Sequence, residues 1–272
     1  MKIDVYELLE RVRMQKPVVH HLTNWVTIYD CANIVKVFGA SPVMAHAPEE
    51  VADMAKIASA LVLNIGTLTV DFIEAMKIAA KSANEKGIPV VLDICGAGAT
   101  NLRNKKCYEL LDSVKINIIK GNASEVARIA GENVNTKGVD ATKVEMDLME
   151  VAKSLAMSKN CTVVITGKED IVSDGKIVFL VKNGHEMMSH VVGTGCMATS
   201  VIGTFAAIEK NLAIASVAGL CCFEIAAEIA VKKSEGPGSF KEKMYDAVYS
   251  LDKKTVGKMQ KIEFLVDGKY YK

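Results

Sequence analysis

Lys176-Ile177-Val178-Phe179-Leu180-Val181, then Gly193-Thr194-Gly195-Cys196, then Met197-Ala198-Thr199-Ser200-Val201-Ile202, run in that order and set the architecture. The first run reads as a strand and the last opens a small-residue helix that continues past Phe205. Two glycines where a loop enters a helix let the backbone approach a ligand closely and leave several N–H groups aimed at one point. With the positive end of the helix dipole they make an anion site. Cys196 adds a group that can exchange a proton. The pattern points to phosphate handling, with Gly193, Thr194, Gly195 and Cys196 as the catalytic residues.

Short β-rich runs alternate with helical ones on either side of this turn. Strands are expected over 17–22, 41–45, 60–65, 89–93, 116–119, 162–166 and 177–181. Helices are expected over 1–15, 48–59, 71–86, 125–129, 146–158, 197–233 and 240–251. Continuous apolar strands separated by helices predict an α/β fold, a mostly parallel sheet with helices on both faces. With no repeat or low-complexity linker, residues 1–272 read as one domain.

Bulk composition narrows the function. The 33 basic and 32 acidic residues leave a net charge of +1, which gives no electrostatic footprint for nucleic acid or an anionic membrane. Seven cysteines, odd in number and without a C-x-x-C pair, point to a reduced, cytoplasmic chain. Residues 1–15 carry charges throughout and read as an amphipathic helix rather than a signal peptide. The longest late apolar run, 213–223, is about half of a membrane span.

Three further strand ends carry chemistry. Val90-Val91-Leu92-Asp93 ends in an acid and runs on to Gly96-Ala97-Gly98; Asn117-Ile118-Ile119-Lys120 ends in a cation before Gly121 and Glu125; Val163-Val164-Ile165-Thr166 ends in a hydroxyl before Gly167. Each has a plainer reading alone. Asp93 closes an ordinary turn, Asn122 or Ser124 caps a helix whose dipole Glu125 complements, and Gly167 turns a hairpin. In a parallel sheet these ends share one edge, and their groups converge. Asp93 and Glu125 then suit a divalent cation, while Lys120 and Thr166 suit phosphates, which fits nucleoside triphosphate chemistry. No Walker A sequence occurs.

Other motifs fall away. Gly193-Thr194-Gly195-Cys196-Met197-Ala198 matches G-x-G-x-x-A, but no strand ending in an acid follows at dinucleotide-binding distance. His185-Glu186 and His190 are spaced one residue too far for H-E-x-x-H. Near the N-terminus, Thr23-Asn24 and the strand bearing Met44 could line a pocket for a small flat molecule. Alternatively Met44 is core and Asn24 a turn residue.

Six segments together resemble the hydroxyethylthiazole kinase family over nearly the whole chain. They are Val19-His20-His21-Leu22-Thr23-Asn24, Gly39-Ala40-Ser41-Pro42-Val43-Met44-Ala45, Leu61-Val62-Leu63-Asn64-Ile65-Gly66-Thr67-Leu68, Gly96-Ala97-Gly98-Ala99-Thr100, Lys120-Gly121-Asn122-Ala123-Ser124-Glu125 and Gly193-Thr194-Gly195-Cys196. The resemblance implies a ribokinase-like fold and transfer of the ATP γ-phosphoryl group to 4-methyl-5-(2-hydroxyethyl)thiazole in thiamine salvage. It also implies a homotrimer with the thiazole site at the boundary between subunits. By resemblance, Met44, Gly193 and Asn24 meet the thiazole, Lys120 and Thr166 meet ATP, and Asp93 and Glu125 serve Mg2+. Cys196 falls where most ribokinase-like enzymes carry an aspartate base.

The chain departs from the family pattern at three points. Lys120 stands where members usually have arginine, Ile94-Cys95 where they have Pro-Val, and His21 where asparagine is common. Rival readings are a hydroxymethylpyrimidine or pyridoxal kinase of the same fold, or an ATP-binding protein without catalysis. The former commonly have histidine where this chain has Val192, and lack the Gly-Ala-Ser-Pro-Val-Met segment. Asp93, Glu125 and Cys196 argue against the latter.

Overall fold

The apolar runs become strands, and the strands share one sheet. The computed structural model describes residues 3–131, 148–266 and 269–271. Its strands are β1 (Val18–Leu22), β2 (Ser41–Val43), β3 (Ala60–Asn64), β4 (Val90–Asp93), β5 (Ile118–Asn122), β6 (Thr162–Thr166), β7 (Asp170–Ser173), β8 (Val178–Val181), β9 (Ile262–Val266) and β10 (Lys269–Tyr271). They lie in the order β10-β9-β8-β7-β6-β5-β4-β3-β1-β2. Neighbours are parallel from β2 to β6 and antiparallel from β6 to β10. Two reversals return β8 to the direction of β6, so the carboxyl ends of β1 to β6 and of β8 line one edge.

Alternation along the strands serves two cores. Val62, Val91, Ile118 and Val164 face one, and Leu61, Leu63, Leu92, Ile119 and Val163 face the other. The first core is covered by α1 (Val5–Gln15), α2 (Ile28–Phe38), α8 (Thr194–Ala206), α9 (Leu212–Val231), α10 (Pro237–Tyr249) and α11 (Lys253–Met259). The second is covered by α3 (Val51–Ile57), α4 (Val70–Lys86), α5 (Asn101–Ser113), α6 (Ala123–Ile129) and α7 (Leu148–Lys159). The expected α/β fold with a mostly parallel sheet is therefore what forms. In α8, Gly203 sits directly on Val62, where a Cβ would collide, so this helix is pressed against β3.

Several expected boundaries move. β5 starts later than 116 and carries Lys120 and Gly121 within the ladder, paired with Val164 and Ile165. The helical run 197–233 is two helices, because Asn211 caps α9 by accepting from the N–H of Ile214. At 20 residues α9 is longer than the 213–223 run suggested, and apolar enough by length and composition to cross a membrane, yet it packs into the first core. Gly193 does not follow β8 directly: a 3-10 turn, Glu186–His190, intervenes. The expected helix over 146–158 begins within the described residues at Leu148, and Met146 lies outside them. All seven cysteines are free.

His20 and His21 belong to β1 and are buried. The His21 ring bonds Val19 O through Nδ1 at 3.0 Å, and its Nε2 has no partner among the described residues. Burial pulls its pKa down to about 4, against the carbonyl bond and with help from His20. An unfolded chain therefore takes up this proton first, and stability present above the free imidazole pKa is lost as pH falls toward 4. The loss attributable to His21 amounts to about 3 kcal/mol. Urea unfolding of the wild type and His21→Asn from neutral pH downward should show the two midpoints converging or crossing as pH falls. A pH-independent difference between them would contradict the assignment.

Candidate active site

The carboxyl edge of the sheet is a rim of polar groups. Five strand spacings of about 4.8 Å separate β2 from β6, so the rim is about 24 Å long. Met44 follows β2 at one end and Thr166 closes β6 at the other. Both are half-buried, and the Thr166 hydroxyl donates to Gly121 O at 3.4 Å. The remaining sequence-predicted residues come together between them.

At the centre lies the first turn of α8. Its N-cap, Gly193, has φ 96°, in the left-handed region. A Cβ there would also lie 2.7 Å from Thr27 Cγ2, so a side chain is excluded twice over. The N–H of Met197 is the first to close on the helix, to Gly193 O at 2.8 Å. Those of Thr194, Gly195 and Cys196 have no acceptor among the described residues. Three free donors at the positive end of a helix form an anion cradle. The Thr194 hydroxyl donates instead to Met188 O (3.0 Å) and Val191 O (3.3 Å), tying down the loop, so Thr194 can offer an anion only its N–H.

A buried cation faces the cradle. A Cβ on Gly195 would stand 3.2 Å from Lys120 Nζ, which puts the ammonium against the same turn. Lys120 donates to Asp93 Oδ2 at 3.3 Å, and the Thr199 hydroxyl donates to the same oxygen at 2.6 Å. Burial opposes the lysine charge, but Asp93 and Glu125 more than offset it and hold its pKa above the ordinary value.

Glu125 takes the helix-start role that the sequence allowed. It completes a capping box on α6, with Oε2 accepting from Asn122 N at 2.7 Å. Its Oε1 accepts from Gly96 N at 2.7 Å, which ties the loop after β4 to the end of β5. Burial and the neighbouring Asp93 charge push its pKa up to about 7, against Lys120 and the two N–H bonds. Two adjacent carboxylates that repel in this way are a fit for Mg2+, which takes one or two protein carboxylates and completes its shell with phosphate oxygens and water. Arg103 braces the neighbouring loops. It donates to Ile65 O and Cys95 O at 3.0 Å each and to Gly66 O at 2.7 Å.

Cys196 is half-buried and held from three sides. Its sulfur accepts from Asn24 Nδ2 at 3.1 Å and from Asn64 Nδ2 at 3.3 Å, and the thiol of Cys95 lies beside it. Its interaction with the Cys95 thiol is the largest of several influences that lower the Cys196 pKa. Burial and Asp93 oppose the shift, while Thr27 and Lys120 support it. Cys95 moves the other way, raised by the same interaction, by burial and by Asp93. The pair thus favours the thiolate at Cys196 over one at Cys95.

Asn64 and Arg103 were not singled out by sequence reasoning. Asn64 was visible only within the Asn-Ile-Gly-Thr-Leu segment, and Arg103 lies in a polar helix that the apolar pattern does not reveal.

An anion cradle, a buried ammonium and paired carboxylates on the carboxyl edge of this sheet define a small-molecule kinase of ribokinase-like architecture. The fold is shared with a ribokinase-like superfamily protein from Enterococcus faecalis, at TM-score 0.63 and 11% identity over 85% of this chain and 86% of that one. The family model described as hydroxyethylthiazole kinase family matches residues 9–254. A hydroxyethylthiazole kinase from Methanosarcina acetivorans is 55% identical over 257 residues, 94% of this chain and 98% of the relative. The structure of a hydroxyethylthiazole kinase from Pyrococcus horikoshii superimposes with TM-score 0.87 at 38% identity, covering 96% of this chain and 98% of that chain. The chain belongs to the hydroxyethylthiazole kinase family.

Proposed function

We propose that this chain transfers the γ-phosphoryl group of ATP to the hydroxyl of 4-methyl-5-(2-hydroxyethyl)thiazole, as its relatives' names indicate. The observation that carries the reading is the apposition of the three free N–H groups of α8 and the Lys120 ammonium. In this reading the thiazole occupies the Met44 end of the rim and the nucleotide the Thr166 end. The hydroxyl meets the γ-phosphate at Cys196.

The N–H groups of Thr194, Gly195 and Cys196 bind the phosphoryl oxygens, and Lys120 offsets the charge that develops on them. Mg2+ held by Asp93 and Glu125 would neutralise charge on the β- and γ-phosphates. Cys196 accepts a hydrogen bond from the attacking alcohol. A loose phosphoryl-transfer transition state asks little of a base, so orientation is its main contribution.

One continuous sheet supports a single kinase domain. The exposed apolar Trp25, Val26, Tyr29 and Val192, next in sequence to the Thr27–Gly193 contact, suit a subunit contact there, and the family resemblance makes it that of a homotrimer. A reduced set of free cysteines supports a cytoplasmic setting. ATP consumption against thiazole, pyrimidine, pyridoxal and sugar alcohols tests the function. Turnover is expected with the thiazole alcohol and magnesium, and none after chelation; preference for hydroxymethylpyrimidine or pyridoxal, or no turnover with any acceptor, would reject it.

A further inference from the structure

The sheet order does something the chain order does not. β1 and β3 are neighbours, with Leu22 opposite Leu63, so the asparagines just beyond them meet although they are far apart in sequence. Asn24 Nδ2 donates to Asn64 Oδ1 at 3.1 Å. Asn64 Oδ1 also accepts from Gly66 N at 2.8 Å. Asn24 Oδ1 accepts from the N–H and the hydroxyl of Thr27 at 3.1 and 3.0 Å. Each amide oxygen is thus claimed by a backbone N–H, which leaves one orientation for each side chain. The second N–H of Asn24 and the amide nitrogen of Asn64 are left to face the sulfur of Cys196. Both side chains are buried, at 4% and 1% exposure, so water does not compete for these donors.

We infer that Asn64 and Asn24 are positioning residues that fix the sulfur of Cys196 as a hydrogen-bond acceptor and aim it at the alcohol of the phosphoryl acceptor. The inference deepens the kinase reading above and rests on it. In its thiolate form a sulfur receiving two N–H bonds keeps a third lone pair, and this is offered to the incoming O–H. As the alcohol oxygen bonds to phosphorus, the bond from phosphorus to the bridging β-oxygen breaks and ADP leaves with that electron pair. The hydroxyl proton passes to the sulfur. The clamp also explains why a weakly directional acceptor such as sulfur can serve here: its direction is supplied by two amides at the ends of adjacent strands. Thr27 links the clamp to the cradle, since the residue that locks Asn24 also packs against Gly193.

The test uses the full-length enzyme. Asn64→Asp keeps the shape and the acceptor for Gly66 but replaces the donor facing sulfur with an oxygen. Asn24→Asp does the same from the other strand. In each, alkylation of Cys196 by iodoacetamide at neutral pH, read by peptide mass spectrometry, is expected to slow about tenfold. The value of kcat should fall by at least as much, with KM for ATP unchanged. In a Cys196→Ala background the Asn64 substitution should cost little more, because its route of action is gone. Asn64→Ser, which removes the donor without adding charge, should fall between wild type and Asn64→Asp. Unchanged alkylation in folded Asn64→Asp and Asn24→Asp, or an undiminished kcat loss in the Cys196→Ala background, would overturn the inference. The alkylation arm needs no substrate, so it fails separately from the kinase reading, which fails if the wild type prefers another alcohol or does not turn over.

Discussion

Gly195→Val is expected to lower kcat by about 10²- to 10³-fold while the protein still folds. The position has no left-handed backbone, so valine meets no conformational penalty there. What it meets is Lys120: a Cβ alone comes to 3.2 Å of Nζ, and the valine branches must displace the ammonium or cover the free N–H groups. Both are the groups assigned to the moving phosphoryl. Gly193→Val differs in kind, because φ 96° and the Thr27 contact at 2.7 Å make it a folding lesion as well. Cys196→Ala should be milder than either, and Cys196→Asp should stay active, since the amide clamp suits a carboxylate as well as a sulfur. Steady-state kinetics with a normal Gly195→Val and a dead Cys196→Ala would reverse these roles.

Lys120→Met should be the most damaging substitution of a side chain. Loss of the cation at the transfer point is expected to lower kcat about 10³-fold, the scale of removing a transition-state arginine from a nucleotide-hydrolysing enzyme. It should also cost about 3–5 kcal/mol of stability, because Asp93 and Glu125 stay buried without their counter-ion. Lys120→Arg keeps the charge and restores the residue usual in the family, so it should recover much of both. Urea titration beside kinetics separates the two losses. A stable and active Lys120→Met would remove Lys120 from the transfer point.

Much of the scaffold could be read from the chain because buried parallel strands are continuous apolar runs that stop at a polar residue. β1, β3, β4 and β6 fall within a residue or so of expectation for that reason. β9 and β10 escape notice since they sit on the far antiparallel edge, where burial is partial and the apolar signal thins. α5 is missed because its sequence is largely polar, with only a narrow buried side. The convergence of Asp93, Lys120, Glu125 and the Gly193–Cys196 turn follows from strand direction alone, so it too could be anticipated. The asparagine clamp could not. It depends on β1 lying beside β3, a sheet order that local pattern does not encode. Nor could the thiol pair be foreseen, for Cys95 and Cys196 are separated by a hundred residues and meet only across the fold.

The helix proposed to cradle the anion is buried from Met197 to Ala206 and lies flush on β3 through Gly203. It therefore cannot rock or slide to adjust its grip without opening a cavity beneath it. Catalytic geometry and the integrity of the hydrophobic interior are one property of this molecule, and heat that slackens the second disables the first at the same moment.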